Sequence, residues 1–447
     1  MKTKLLLVFF LIPFFSFSQT QLGNQFNNPD ENSIKPSRFG NAVAISDDGT
    51  IVAIGAPGHN ENSFVRIFKY ENATWNQLGT DIVNEAILEK IGTSVSLSSD
   101  GKTVAIGAVA GGNLDEGSVR FYEFKNDSWQ KLGNEIIGAG IQHSIGYKVV
   151  MTPDTKFVAV STIDNKADKG YVKVYENISG SWTQKGTILE GEFTSDHFGI
   201  TIDLSDDGNT LAIGNRGRRK AMVYEFKNND WSQIGNEFTD LVSDNRANIS
   251  VSLSADGKKV AIGAKSGVSI YENTAGTWNL LGSLINFGSS SSLSSDGTKI
   301  AIASPYDYTV RNYIFENNIW TQRGVDVKTW RSSNFGEAIA LSADGETFIA
   351  GSENAFPRVY SFKSTLNIKK YKLNEFTNIY PNPVKDNFTI SFSNENSLKK
   401  AVIYNQQGKK ILESKNKEIN ISTFSTGIYF LELETEKGKI TKKLIKK

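Results

Sequence analysis

The sequence predicts an all-β protein whose main body is a seven-bladed β-propeller. Three observations lead there: a glycine-rich, proline-poor composition, a motif that returns seven times, and one tryptophan at a fixed place in six of those copies. The 39 Gly against 9 Pro, with 11% aromatic residues, suit many short strands joined by tight turns. At 447 residues, 39% of them hydrophobic, the chain can bury a large core. A formal charge of +1 offers no footprint for a polyanion, so nucleic acid is not an expected partner. The absence of cysteine removes disulfides, thiol nucleophiles and thiolate metal sites, and three histidines leave little room for imidazole chemistry.

In chain order, residues 1–18 read as a secretory signal peptide. Lys2 and Lys4 form the charged start, Leu5 to Phe15 the apolar core, and Ser16-Phe17-Ser18 a small-residue exit. No later run approaches the roughly 20 apolar residues of a membrane-spanning helix, so no transmembrane segment is expected.

The repeat occupies residues 20–363. Each copy opens with Gly, continues as an alternating strand, turns through Ser-x-Asp-Gly and returns as a second apolar strand, as in Gly40 through Ala56. The opening Gly recurs at 92, 146, 199, 288 and 336, with Asn248 in its place in the fifth copy. The turn Gly falls nine residues later at 49, 101, 208, 257, 297 and 345, while Thr155 breaks the pattern in the third copy. A third strand follows, such as Phe64 to Tyr70, and then a strand carrying Trp75, Trp129, Trp182, Trp231, Trp278 or Trp320. One aromatic per copy at one position reads as a packing wedge between neighbouring sheets. Four strands and a mean step of about 49 residues match a propeller blade. The seventh copy lacks its Trp strand, but Gln21 to Phe26 resembles Gln233 to Phe238, so the N-terminal strand is expected to complete the last blade.

Phe39-Gly40 with Gly55-Ala56-Pro57 resembles the FG-GAP repeats of integrin alpha-subunit propellers and their bacterial relatives. That family often carries Asp-x-Asp-x-Asp-Gly calcium loops between the first two strands. Here the place holds Ser46-Asp47-Asp48-Gly49 or Ser98-Ser99-Asp100-Gly101, ordinary hairpin-turn chemistry, so neither metal nor cofactor is expected. A linker at 364–376 leads to residues 377–447. There Tyr380-Pro381-Asn382-Pro383, then Gly427-Ile428-Tyr429 and a basic ending resemble the C-terminal sorting domain of type IX secretion. The resemblance implies a small β-sandwich that directs cargo across the outer membrane, usually removed on export, with the type IX machinery as partner. The product would be secreted or attached at the outer cell surface.

Catalytic constellations are absent from the local sequence. Asp196-His197 is the only Asp-His neighbour pair, and neighbours in an extended strand face opposite ways. Binding suits the architecture better, because variable loops cluster on one face of a rigid ring. Candidate ligand contacts on that face are Arg216, Arg218, Arg219 and Lys220 for a carboxylate or sulfated sugar, and Tyr306, Tyr308 and Trp330 for stacking, with His59 beside them. Three functions fit: an exported binding or adhesion protein for a glycan or protein ligand, which leads; a carbohydrate-active or peptide-processing enzyme whose carboxylates converge only in the fold; and a structural exoprotein. The leading reading expects no enzyme.

Overall fold

The computed structural model describes the chain except residues 1–18, 28–36, 59–62, 87–88, 111–115, 139–143, 163–168, 240, 242–248, 266, 330–333, 353–354, 364–376, 393–396, 407–408 and 436–437. The expected signal peptide and linker, with Asn248, lie outside the described residues. The chain divides into two compact units, Met1–Lys363 and Ser364–Lys447. Every regular element among the described residues is a strand.

Among the described residues, the first unit holds seven antiparallel sheets of four or five strands. In the first blade the strands run Ala42–Ile45, Ile51–Ala56, Phe64–Glu71 and Thr74–Gln77, each paired to the next. The first strand of each blade packs against that of the following blade, and the strand Ala338–Leu341 of the last packs on Ala42–Ile45 of the first. The sheets therefore form a closed ring with these strands innermost. The second strands, such as Ile51–Ala56, Thr103–Ala108 and Thr347–Ser352, are buried along all or nearly all of their length, which is why their centres read as continuous small and apolar residues. Packing between adjacent blades supplies the core, each large aliphatic side chain contributing about 1.5–3 kcal/mol.

The Ser-x-Asp-Gly turn is the same device seven times over. The Ser46 hydroxyl donates to Asp48 at 2.7 Å and accepts the Ile51 N–H at 2.9 Å. Ser98, Thr152, Ser205, Ser254, Ser294 and Ser342 repeat both bonds. The third copy keeps the turn although it lacks the glycine: Thr155 takes φ +63° and its N–H reaches the Thr152 carbonyl at 2.8 Å. The left-handed conformation costs a β-branched residue free energy, which the rest of the turn offsets.

The second residue of each turn joins neighbouring blades. Asp47 N–H donates to the Ser99 carbonyl, Ser99 to Pro153, Asp206 to Ala255, Ala255 to Ser295, Ser295 to Ala343, and Ala343 back to Asp47, at 2.9–3.1 Å. This belt is interrupted at one blade junction, between the third and fourth, where Pro153 has no N–H to offer Asp206.

Tryptophans tie the outer rim. The indole N–H of Trp75 donates to the Leu22 carbonyl of the neighbouring blade, Trp129 to Leu78, Trp231 to Lys185, Trp278 to Ile234 and Trp320 to Leu281, at 2.8–3.0 Å. Trp182 instead stacks on Phe121, ring centroids 4.3 Å apart. The N-terminal strand Thr20–Gln21 pairs with Ala355–Ser361 and completes the last sheet, with Thr20 opposite Ser361.

The second unit is a β-sandwich. One sheet holds Thr377–Tyr380, Asn387–Phe392 and Glu418–Asn420; the other orders Lys410–Ser414, Leu398–Tyr404, Gly427–Thr435 and Gly438–Lys446. Phe388, Ile390, Ala401, Ile403, Leu431 and Leu433 fill one core between them.

Two outcomes follow from the turns and the belt. Ser342→Ala strands the buried Thr347 N–H and should cost about 1–3 kcal/mol in urea unfolding, whereas Ser342→Thr, the residue the third copy uses, should cost far less. Partial burial, then the carboxylates of Asp47, Asp154 and Asp207, push Asp206 up to about 6. A raised carboxyl pKa favours the fold while protonated, so that contribution is complete below about pH 4 and lost as pH rises through 6. Asp206→Asn should therefore stabilise the fold at pH 8 but not at pH 4, by less than about 1 kcal/mol because solvent screens this partly buried carboxylate, as read by thermal unfolding.

Candidate functional site

The connections between second and third strands and those between blades share one face of the ring, because each blade's strands alternate in direction. On that face the basic run of the fourth blade does not act as one cluster. The turn at residues 216–219 joins Thr210–Asn215 to Lys220–Lys227, with the buried Asn215 amide oxygen accepting the Arg218 N–H at 2.9 Å. The Arg218 guanidinium donates to Asp196 at 3.1 Å and lies 3.8 Å over the Phe193 ring. Lys220 pairs with Glu237 of its own blade. Arg219 is exposed, at φ +55°. Arg216 is half-buried, and its charge is felt by Tyr147 of the third blade. The four cations thus have no common partner.

Tyr306 is 56% exposed, while Tyr308 is partly buried against the core cluster that includes Phe335. The two rings do not share one surface position. His59 and Trp330 lie outside the described residues. Asp196 accepts the Phe193 N–H at 2.9 Å besides Arg218, and the His197 ring contacts the Ser195 carbonyl at 2.8 Å; neither bond joins Asp196 to His197.

Three residues that motif reading passed over are coupled by charge, and one of them, Tyr147, also feels Arg216. Tyr147 and Lys148 follow the opening glycine of the third copy, and Glu337 follows that of the seventh. Burial holds the Tyr147 phenol above its ordinary range, opposed by Arg216 and reinforced by Glu337. Burial lowers Lys148, with Glu337 opposing. The position just after each opening glycine is the signal that marks such residues. A further titratable group is Asp203, pushed up to about 6 by burial although it accepts the Leu253 and Leu204 N–H groups at 2.6 and 2.9 Å.

Two grooves open between blades at the outer rim. One, about 370 Å³, is lined by Gly23, Asn24, Phe26, Phe68, Thr74 and Trp75 among others; its counterpart, about 280 Å³, by Gly235, Asn236, Phe238, Tyr271, Thr277 and Trp278. Phe26 lies 4.6 Å from Phe68 and 5.5 Å from Trp75, and Phe238 lies 4.7 Å from Tyr271 and 6.0 Å from Trp278. The sequence held the clue in the likeness of residues 21–26 to 233–238.

In the second unit, Tyr380, Pro381, Asn382 and Pro383 are exposed and Val384 is buried. The Asn382 amide imitates a strand residue: its nitrogen donates to the Lys443 carbonyl at 2.8 Å and its oxygen accepts the Ile445 N–H at 2.9 Å. Val384 continues the pairing, donating to Ile445 and accepting from Lys447. The motif thus clips to the last strand of the chain. Tyr429 donates its hydroxyl to Ser425 at 2.9 Å and packs on Phe424. Gly427 has open space at its Cβ position, but its φ of +159° is a conformation that residues with side chains rarely adopt.

Comparison with known proteins agrees with this division. A chain of the solved structure described as "Crystal Structure of Mitotic Checkpoint Complex" is similar in fold, with a TM-score of 0.55 and 14% identity, covering 81% of this chain and 98% of that one. At that identity the likeness bears on the fold alone. Comparison with curated proteins gives no match. Residues 378–447 match the family described as "Secretion system C-terminal sorting domain". The chain therefore ends in a type IX sorting domain, and the protein is secreted or carried to the outer cell surface.

Proposed function

We propose that this is an exported interaction protein: residues 1–18 are its secretory leader, the FG-GAP-like propeller is a binding or adhesion module, and residues 378–447 are its address for type IX secretion. The sorting domain carries the reading, because export of a rigid ring places a ligand-binding scaffold where external partners are met. The propeller is proposed to bind without catalysis; the engagement of Asp196 by Arg218 and of His197 by Ser195 supports that part.

Deleting residues 378–447 should leave the propeller inside the outer membrane of the producing cell, as read by fractionation and immunoblot; unchanged delivery to the exterior would refute the address. Asn382→Ala removes two hydrogen bonds from the last strand and should cost the sorting domain about 1–3 kcal/mol, lowering the exported fraction. For the binding role, the purified chain is probed on an array of glycans and matrix proteins. Saturable binding to some array member is expected, and silence across the array would refute the module.

A further inference from the structure

The two rim grooves are one structure made twice. Leu22-Gly23-Asn24-Gln25-Phe26 and Ile234-Gly235-Asn236-Glu237-Phe238 place glycine, amide and phenylalanine alike, and each phenylalanine meets two aromatic rings of the following blade. At the junctions that follow the first, second and fifth blades, the phenylalanine position holds Ile82, Ile136 or Ile285. Trp75 and Trp278 are both partly exposed, as is Trp129, where the phenylalanine position holds Ile82; Trp182, Trp231 and Trp320 are buried.

What the two grooves share defines their ligand. Each carries a charge that the other lacks, and both charges are already met: Arg66 forms a two-point pair with Asp81 at 2.7 and 2.6 Å, and Glu237 pairs with Lys220. The common remainder is uncharged: two partly exposed aromatic rings over a buried phenylalanine, an exposed asparagine amide, a threonine hydroxyl and a glycine packed against the edge of the indole. Aromatic faces pack the C–H side of a pyranose, and amides bond its hydroxyls in either sense. We propose that the grooves at Trp75 and Trp278 are equivalent sites for neutral sugar rings, so that the propeller grips a glycan surface at two points. This rests on the propeller's being a binding module and names the ligand class and the place. Two weak sites on one rigid body gain avidity on a multivalent surface.

The test uses the full chain and its Phe26→Ile/Phe238→Ile variant, which installs the residue found at the equivalent position of other blades and should lower the melting temperature by a few degrees while leaving the chain folded at 25 °C, as checked by its unfolding curve. Methyl glycosides of glucose, mannose, galactose and N-acetylglucosamine are titrated at millimolar concentration while the indole N–H signals are followed by NMR. With at least one sugar, the Trp75 and Trp278 signals should move together and saturate, and the double variant should bind about tenfold more weakly, a change of about 1.4 kcal/mol. Still signals at both indoles with every sugar, or equal affinity in the variant, would overturn the proposal. If the array described above still records binding, the binding module survives that failure; if it is silent too, both readings fall. Movement of the two signals with a proline- or aromatic-rich peptide and not with sugars would also overturn it.

Discussion

A single serine or threonine hydroxyl, placed at the start of each inner turn, governs how the ring is assembled. It orients its own Asp, takes the N–H that begins the second strand, and so presents the residue between them to the next blade. Seven such residues bring six hydrogen bonds into a belt that sets the spacing of the innermost strands. Everything further out inherits that spacing: the buried second strands, the indoles that reach one blade sideways, and the rim grooves. A chain without cysteine is held by this repetition where many exported proteins use covalent links.

Much of the fold was legible because its contacts are local. The alternation of Ala42 to Ile45, the Ser-x-Asp-Gly turn and the Trp strand all lie within one copy, and the orphan strand at Gln21 announced the partner it lacked. Thr155 was the misleading mark. The turn needs a left-handed backbone more than it needs glycine, and the hydroxyl bonds around Thr152 hold the conformation regardless. The candidate site was less legible, since it depends on contacts between copies. Arg216, Arg218 and Lys220 are neighbours in sequence yet answer to Tyr147, Asp196 and Glu237 respectively. No spacing rule relates Tyr147 to Glu337, which lie in different blades.

The sorting domain shows the same logic at smaller scale. Its motif is recognisable as letters, but the letters do unequal tasks: Asn382 substitutes its side-chain amide for a backbone amide and joins the start of the domain to the end of the chain, while Tyr380 stays largely in solvent. The basic terminus is therefore a structural strand as well as a charged one, with Leu444 in the core and Lys443 outside it.

The pairing of Thr20 with Ser361 also has a bearing on time. The first strand of the ring waits for a partner made more than three hundred residues later, and contacts of such sequence separation are slow to form because chain entropy is lost before they reward it. During synthesis the blades accumulate as an open arc whose last sheet has no outer strand. Closure becomes possible only after the chain has been made through Ser361, so a polypeptide threaded through a membrane pore from its N-terminus reaches the far side before its main body can lock.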